Sequence, residues 1–213
     1  MNRVPHSLID ELAADLAPVR PLRRARGIAL VATATLVAVV LVEVIDGFWR
    51  GIATGQASPL FFIANGMFAM LGTAAALAAI RMASPQVGNS HEGTRWALAM
   101  AALLPVAALV VLGLQGDLGQ VAHDPYGFGC LIAGIEFGGL TFVALIVWLR
   151  RGAPVSPPLA GTLTGIAAGS LGTFAHGLAC PVDTLAHLGS WHVLPVVLGG
   201  VIGRITVPPL VRW

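Results

Sequence analysis

Apolar residues crowd into six stretches of the chain, roughly Ile28–Gly47, Pro59–Ile80, Arg95–Leu114, Tyr126–Leu149, Leu159–Ala179 and Gly189–Val207. Each approaches the length of about 20 residues that a helix needs to cross about 30 Å of hydrocarbon. Within them the apolar positions show no alternation of period two, which argues against membrane strands. Connectors rich in Pro, Gly, Asn and Ser, such as SPQVGNSHEG and RRGAPVSPP, separate the stretches. The first stretch follows a polar leader of 27 residues. A secretory signal would place its apolar core earlier and follow it with a small-residue cleavage pattern. That stretch is therefore expected to persist in the mature protein. The pattern predicts an all-α integral membrane protein: a six-transmembrane-helix bundle over residues 28–213, preceded by a cytoplasmic tail, residues 1–27.

Composition agrees. The chain is 56% hydrophobic and only 10% charged, with a mean hydropathy of +0.84, whereas soluble domains are about 25% charged. The 26 glycines suit membrane helices, and Gly161, Gly165 and Gly169, like Gly199 and Gly203, have the small-xxx-small spacing that lets helix backbones approach. All twelve basic residues are arginine. Arg3, Arg20, Arg23, Arg24, Arg26, Arg81, Arg95, Arg150, Arg151, Arg204 and Arg212 fall on one side of the predicted bundle, and Arg50 alone on the other. The positive-inside rule then puts both termini in the cytoplasm and Asp46, Asp117, Asp124 and Asp183 outside.

The tail HSLIDELAADLAPVRPLRRAR reads as a short amphipathic helix followed by a basic stem. Ser7 can cap it, and Asp10 and Glu11 in the first turn complement the helix dipole. Leu8, Ile9, Leu12 and Leu16 form one apolar stripe, and Pro18 and Pro21 end the helix. So short a helix is marginal alone in water and needs a surface to bury its stripe. Membrane lipid could serve, drawn by Arg20 to Arg26. Between Ser7 and Ala17, however, there are three acids and no base, which favours a groove on a cytoplasmic protein. Leu8, Ile9, Leu12, Leu16, Pro18 and Val19 are the expected partner-binding residues. Direct nucleic-acid binding is not expected.

The chemistry lies at the other end. Cys180 precedes Pro181, where a helix should stop, and Cys130 follows the turn-like DPYGFG, so both cysteines fall at the outer boundary. His123, His187 and His192 share that layer, and His176 lies one turn below Cys180 on its helix face. Glu43 and Glu136 are intramembrane carboxylates, which by default mark a function or a buried partner. Three readings of the cysteine pair stand: a structural disulfide, a reversible dithiol, or a metal site of Cys130 and Cys180 with His176, His187 or His192, suited to copper(I) or zinc. No cofactor is required by any of them; copper or zinc would be a sensed ligand. There is no CxxC pair, Walker loop, HExxH or nucleophile elbow, so no enzyme is expected.

The segments LIDELAADLAPVRPLRR, RRGAPVSPPLAGTLTGIAAGSLGTFAHGLACPVDTLAHLGSWH and the terminal VRW resemble the NrsF family of six-pass membrane anti-sigma factors, with Cys130 and the proline-followed Cys180 at the family's cysteine positions. The outer loop DGFWRGIATG keeps an arginine but is otherwise a looser match. The resemblance implies a protein of the bacterial inner membrane that holds an extracytoplasmic-function sigma factor away from RNA polymerase through its tail. A metal or redox signal at the outer cysteines would release it. The alternative is a membrane metal-handling or transport protein with Glu43, Glu136, His176 and the cysteines along a path.

Overall fold

The computed structural model describes residues 22–85 and 119–211, with isolated helical positions at Glu11 and Ala14 and between Trp96 and Leu114. The partner-binding positions Leu8, Ile9, Leu12, Leu16, Pro18 and Val19 lie outside the described residues, as does part of the third predicted stretch.

All regular structure among the described residues is helical: α1 (Arg24–Ile45), α2 (Pro59–Met82), the single turn α3 (Gly119–Ala122), α4 (Gly127–Leu149), α5 (Pro157–Gly177), α6 (Leu185–Ser190) and α7 (Leu194–Val211). Four stretches are long and apolar enough to cross a membrane: α1, α2, α4, and Leu185–Val211, which joins α6 to α7. The helix α5, at 21 residues, has the length, but its Gly, Ser and Thr dilute its apolar character.

Local signals set the helix ends. Ser58 holds an extended backbone and its hydroxyl accepts from Phe61 N–H at 3.3 Å, with Pro59 at the first helical position of α2. The Thr184 hydroxyl caps α6 by accepting from His187 N–H at 3.3 Å. Pro157 and Pro158 open α5. Beyond α1, Gly47 adopts φ +74° and donates to Val42 O at 3.1 Å, a left-handed stop that glycine takes without Cβ strain. Two boundaries differ from expectation. The α5 helix ends at Gly177 and turns through Leu178 and Ala179, so Cys180 sits in a non-helical link. The final stretch is broken: α6 stops at Ser190, and Trp191, His192 and Val193 make a turn before α7.

The helix α5 is the axis of the bundle. Fifteen of its 21 residues are buried, and it packs against α7, α4, α2 and α1. Glycines make this close packing attainable. A Cβ on Gly161 or Gly165 would run into the backbone of Gly203 or Gly199, and one on Gly172 into Gly134 and Gly138. The stripes seen in sequence thus join α5 to α7 on one side, while Gly134 and Gly138 bring in α4 on another.

One end of the bundle carries the arginines. There Trp148, 2% exposed, donates from Nε1 to Ile80 O at 3.1 Å, and Gly27 lies against its indole ring. Ala153 N–H donates to Ala83 O at 2.8 Å nearby. Arg23, Arg24, Arg26, Arg81, Arg150 and Arg151 flank this layer in the chain. The opposite end gathers the α1–α2 loop, the start of α4, the α5–α6 link and the α6–α7 turn.

Candidate functional site

At that opposite end four side chains meet. Cys130, in the first turn of α4, faces Cys180 with the sulfurs 3.7 Å apart. Both cysteines are free and buried, and the gap is far from the ~2.05 Å of a disulfide. His187 of α6, fully buried, brings Nε2 to 3.4 Å from Cys180 Sγ. His192, from the turn between α6 and α7, is 1% exposed, and its ring centroid is 5.0 Å from that of His187. One ligand atom from each of Cys130, Cys180, His187 and His192 lies within 4.8 Å of the others.

Asp124 orders this cluster, although nothing along the chain pairs it with a histidine. Its Oδ1 accepts from Tyr126 N–H at 2.9 Å and Gly127 N–H at 3.1 Å, satisfying donors at the start of α4. Its Oδ2 is 2.5 Å from Nδ1 of His187. A carboxylate only accepts, so that Nδ1 carries the proton and Nε2 is the atom turned toward Cys180. One aspartate therefore starts a helix and orients a ring 63 positions further along the chain.

The α5–α6 link is clamped to the first loop. Trp49 N–H donates to Leu178 O at 2.9 Å, and Ser58 N–H to Asp183 Oδ2 at 3.1 Å. Trp191 lies over Gly127 and donates from Nε1 to Val121 O at 3.2 Å, covering the cluster from the α3 side. Within this enclosure Cys180 has its thiol held well below the usual cysteine range. The hydrogen bond from Cys130 is the main cause; burial opposes it, and contacts from His187 and His192 add to it. Among the described residues, both ring nitrogens of the buried His192 lack a hydrogen-bond partner, and such orphaned groups are uncommon in native interiors.

The other candidates fall elsewhere. His176 is in the next layer: its Nδ1 is 3.6 Å from Asp46 Oδ2, its ring stacks on Phe137, and its centroid is 6.2 Å from that of His192. It is not one of the four clustered ligands. Glu43 is exposed and accepts from Phe48 N–H at 2.6 Å, closing the turn after α1. Glu136 is on the exposed face of α4, whereas Cys130, Gly134 and Gly138 define the buried one. Neither carboxylate belongs to the cluster.

Comparison with known proteins adds the biological frame. The chain is 23% identical over 156 residues to a protein of Azospira oryzae described as a probable anti-sigma-F factor NrsF, a match covering 73% of each chain. No solved structure matches it. A family model described as negative regulator of sigma F, NrsF, matches residues 12–213. Because that match takes in the whole helical bundle and its buried Cys/His cluster, the chain belongs to the NrsF family of negative regulators of sigma F, a family of anti-sigma factors.

Proposed function

We propose that this chain is an anti-sigma factor of the bacterial inner membrane whose tail, residues 1–27, sequesters an extracytoplasmic-function sigma factor and whose outer-face Cys/His cluster governs release. Six spans are needed: the four apolar stretches, the buried α5, and the stretch Arg95–Leu114. With both termini in the cytoplasm, the arginine-bearing end faces inward and the cluster faces outward.

The observation that carries this reading is the gathering of Cys130, Cys180, His187 and His192 in one buried cluster, at the bundle end away from the start of α1. Reactive thiols with histidines beside them respond to thiophilic metal ions or oxidants. The tail supplies the second half: the stripe Leu8, Ile9, Leu12 and Leu16 would lie in an apolar groove of the sigma factor, with Pro18 and Val19 ending the contact. A route between the halves is short. The α1 helix leads directly from the tail to the loop in which Trp49 binds Leu178 O, two residues before Cys180. Rearrangement around Cys180 would pull on the helix that carries the tail.

Co-purification tests the reading. The full chain, extracted from membranes, should carry the sigma factor encoded with it, and a chain lacking the first 27 residues should not. Treatment of intact cells with a thiophilic metal or an oxidant should reduce the amount retained. Equal recovery with and without the tail would refute tail-mediated sequestration.

A further inference from the structure

Resting on the reading of the outer cluster as the sensor, we infer that it is a four-ligand site for a thiophilic metal ion of the zinc type, with His187 and His192 completing the cysteine pair and Asp124 as positioning residue. Three observations carry this beyond the presence of two thiols.

The first is spacing. Zinc–sulfur bonds of about 2.3 Å and zinc–nitrogen bonds of about 2.0–2.1 Å, at tetrahedral angles, place two sulfurs about 3.8 Å apart and a sulfur and nitrogen about 3.5 Å apart. The separations found are 3.7 Å for Cys130 and Cys180, and 3.4 Å for Cys180 and His187. The second is the Asp124–His187 pair. Metal-ligating histidines almost always donate their other ring N–H to a carboxylate or carbonyl, which fixes the tautomer and raises ligand basicity. His187 has this arrangement, with Nδ1 on Asp124 and Nε2 toward Cys180. The third is His192. Its ring is 1% exposed, neither nitrogen has a partner among the described residues, and one of them belongs to the group within 4.8 Å. A bound ion would satisfy it. A dithiol switch acting alone could use His187, oriented by Asp124, to hold the Cys180 thiolate, but it would leave both nitrogens of the buried His192 without a partner among the described residues.

Cobalt(II) is a suitable probe, since thiolate ligation gives a sulfur-to-metal charge-transfer band and tetrahedral geometry gives intense visible absorption. The full-length chain, in detergent and kept reduced, should bind one Co2+ per chain with both signatures, and Zn2+ should displace it. Cys130→Ser or Cys180→Ser should weaken the charge-transfer band. His187→Gln and His192→Gln should each lower affinity at least about tenfold and reduce the tetrahedral absorption. Asp124→Asn should weaken binding by about 10- to 100-fold with the absorption spectrum retained, and Asp124→Glu should restore part of the loss. Sigma-factor capture and elution profile report folding for each variant. Histidine variants that capture sigma factor and bind Co2+ as tightly as the parent overturn the four-ligand assignment. So does a spectrum showing sulfur ligation without tetrahedral absorption. A chain that captures sigma factor but binds no Co2+ overturns the metal site and leaves the anti-sigma reading standing. One that binds Co2+ as described but captures no sigma factor upholds the site and overturns that reading.

Discussion

The contact between α5 and α7 yields a prediction in which one chemical change has opposite effects at two positions. At Gly66 in α2, an added Cβ meets nothing within 4 Å among the described residues. Gly66→Ala should therefore realise the helix-propensity gain of about 1 kcal/mol. At Gly165 the added carbon would run into Gly199 O and C, with Gly200 N at 2.9 Å. Those atoms are backbone and cannot rotate away, and Gly161 against Gly203 locks the same seam one turn along. Overpacking of this kind costs about 1–3 kcal/mol. Helix association in lipid draws on close packing rather than the hydrophobic effect, so no other force compensates. The propensity gain is common to both variants and cancels. Gly165→Ala should lie about 1–3 kcal/mol below Gly66→Ala, a factor of about 5–150 in the folding equilibrium. Unfolding in mixed micelles titrated with dodecyl sulfate, followed by tryptophan fluorescence, measures the difference. Separating α5 from α7 would also move His192 away from Cys180, so Co2+ affinity should fall in Gly165→Ala and not in Gly66→Ala. Equal unfolding midpoints would refute the close-packed seam.

Three further outcomes are expected. Replacing Leu12 and Leu16 together by Asp puts two charges on the docking stripe, where burial is costly; sigma activity should become constitutive at unchanged membrane abundance, and undiminished sigma binding would exclude a helix-in-groove contact. A cytoplasmic reporter fused after Trp213 should be active and a periplasmic one inactive, the reverse result inverting the bundle. Cys130→Ser, Cys180→Ser and the double variant should impair the response to inducer equally, as expected of residues in one coupled element; a structural staple would instead lower the amount of folded protein and leak sigma activity.

Much of the site could be read along the chain because its residues are chemically conspicuous. Two cysteines and several histidines at the same predicted depth needed only the order of the spans to bring them into one layer. Choosing among the histidines needed geometry. Helical spacing recommended His176, one turn below Cys180. Yet α5 ends at Gly177, and the non-helical link carries the Cys180 thiol away from that helix face, toward His187 and His192. The turn that interrupts the last apolar stretch, and so delivers His192, has its signal just beyond it in Pro195, which has no N–H to donate to Trp191 O in a continuous helix. Asp124 was less legible still. In sequence it belongs to a turn, AHDPYG, and that turn does use one of its oxygens; the other reaches His187 through tertiary packing.

The same divide runs through the fold. Apolar character is strongest in helices whose surface the bundle leaves exposed, and weaker where a helix faces other helices. Among the four apolar stretches, α1 is both the most apolar and the least buried. The axial α5 reverses this: Thr164, Ser170 and Thr173 are at most 1% exposed, and its glycines meet backbone on two sides. Neighbouring helices cover that surface, so what it requires is small volume rather than apolar character. Small residues carry little hydropathy, so the helix that organises the bundle is only weakly marked by apolar character, as the stretch Leu159–Ala179. The spacing of Gly161, Gly165 and Gly169 records instead how closely a neighbour approaches. That close approach brings the links after α5 and before α7 together, and with them Cys180 and His192. The thiols and imidazoles thus meet at one end of the helix that its neighbours cover most completely.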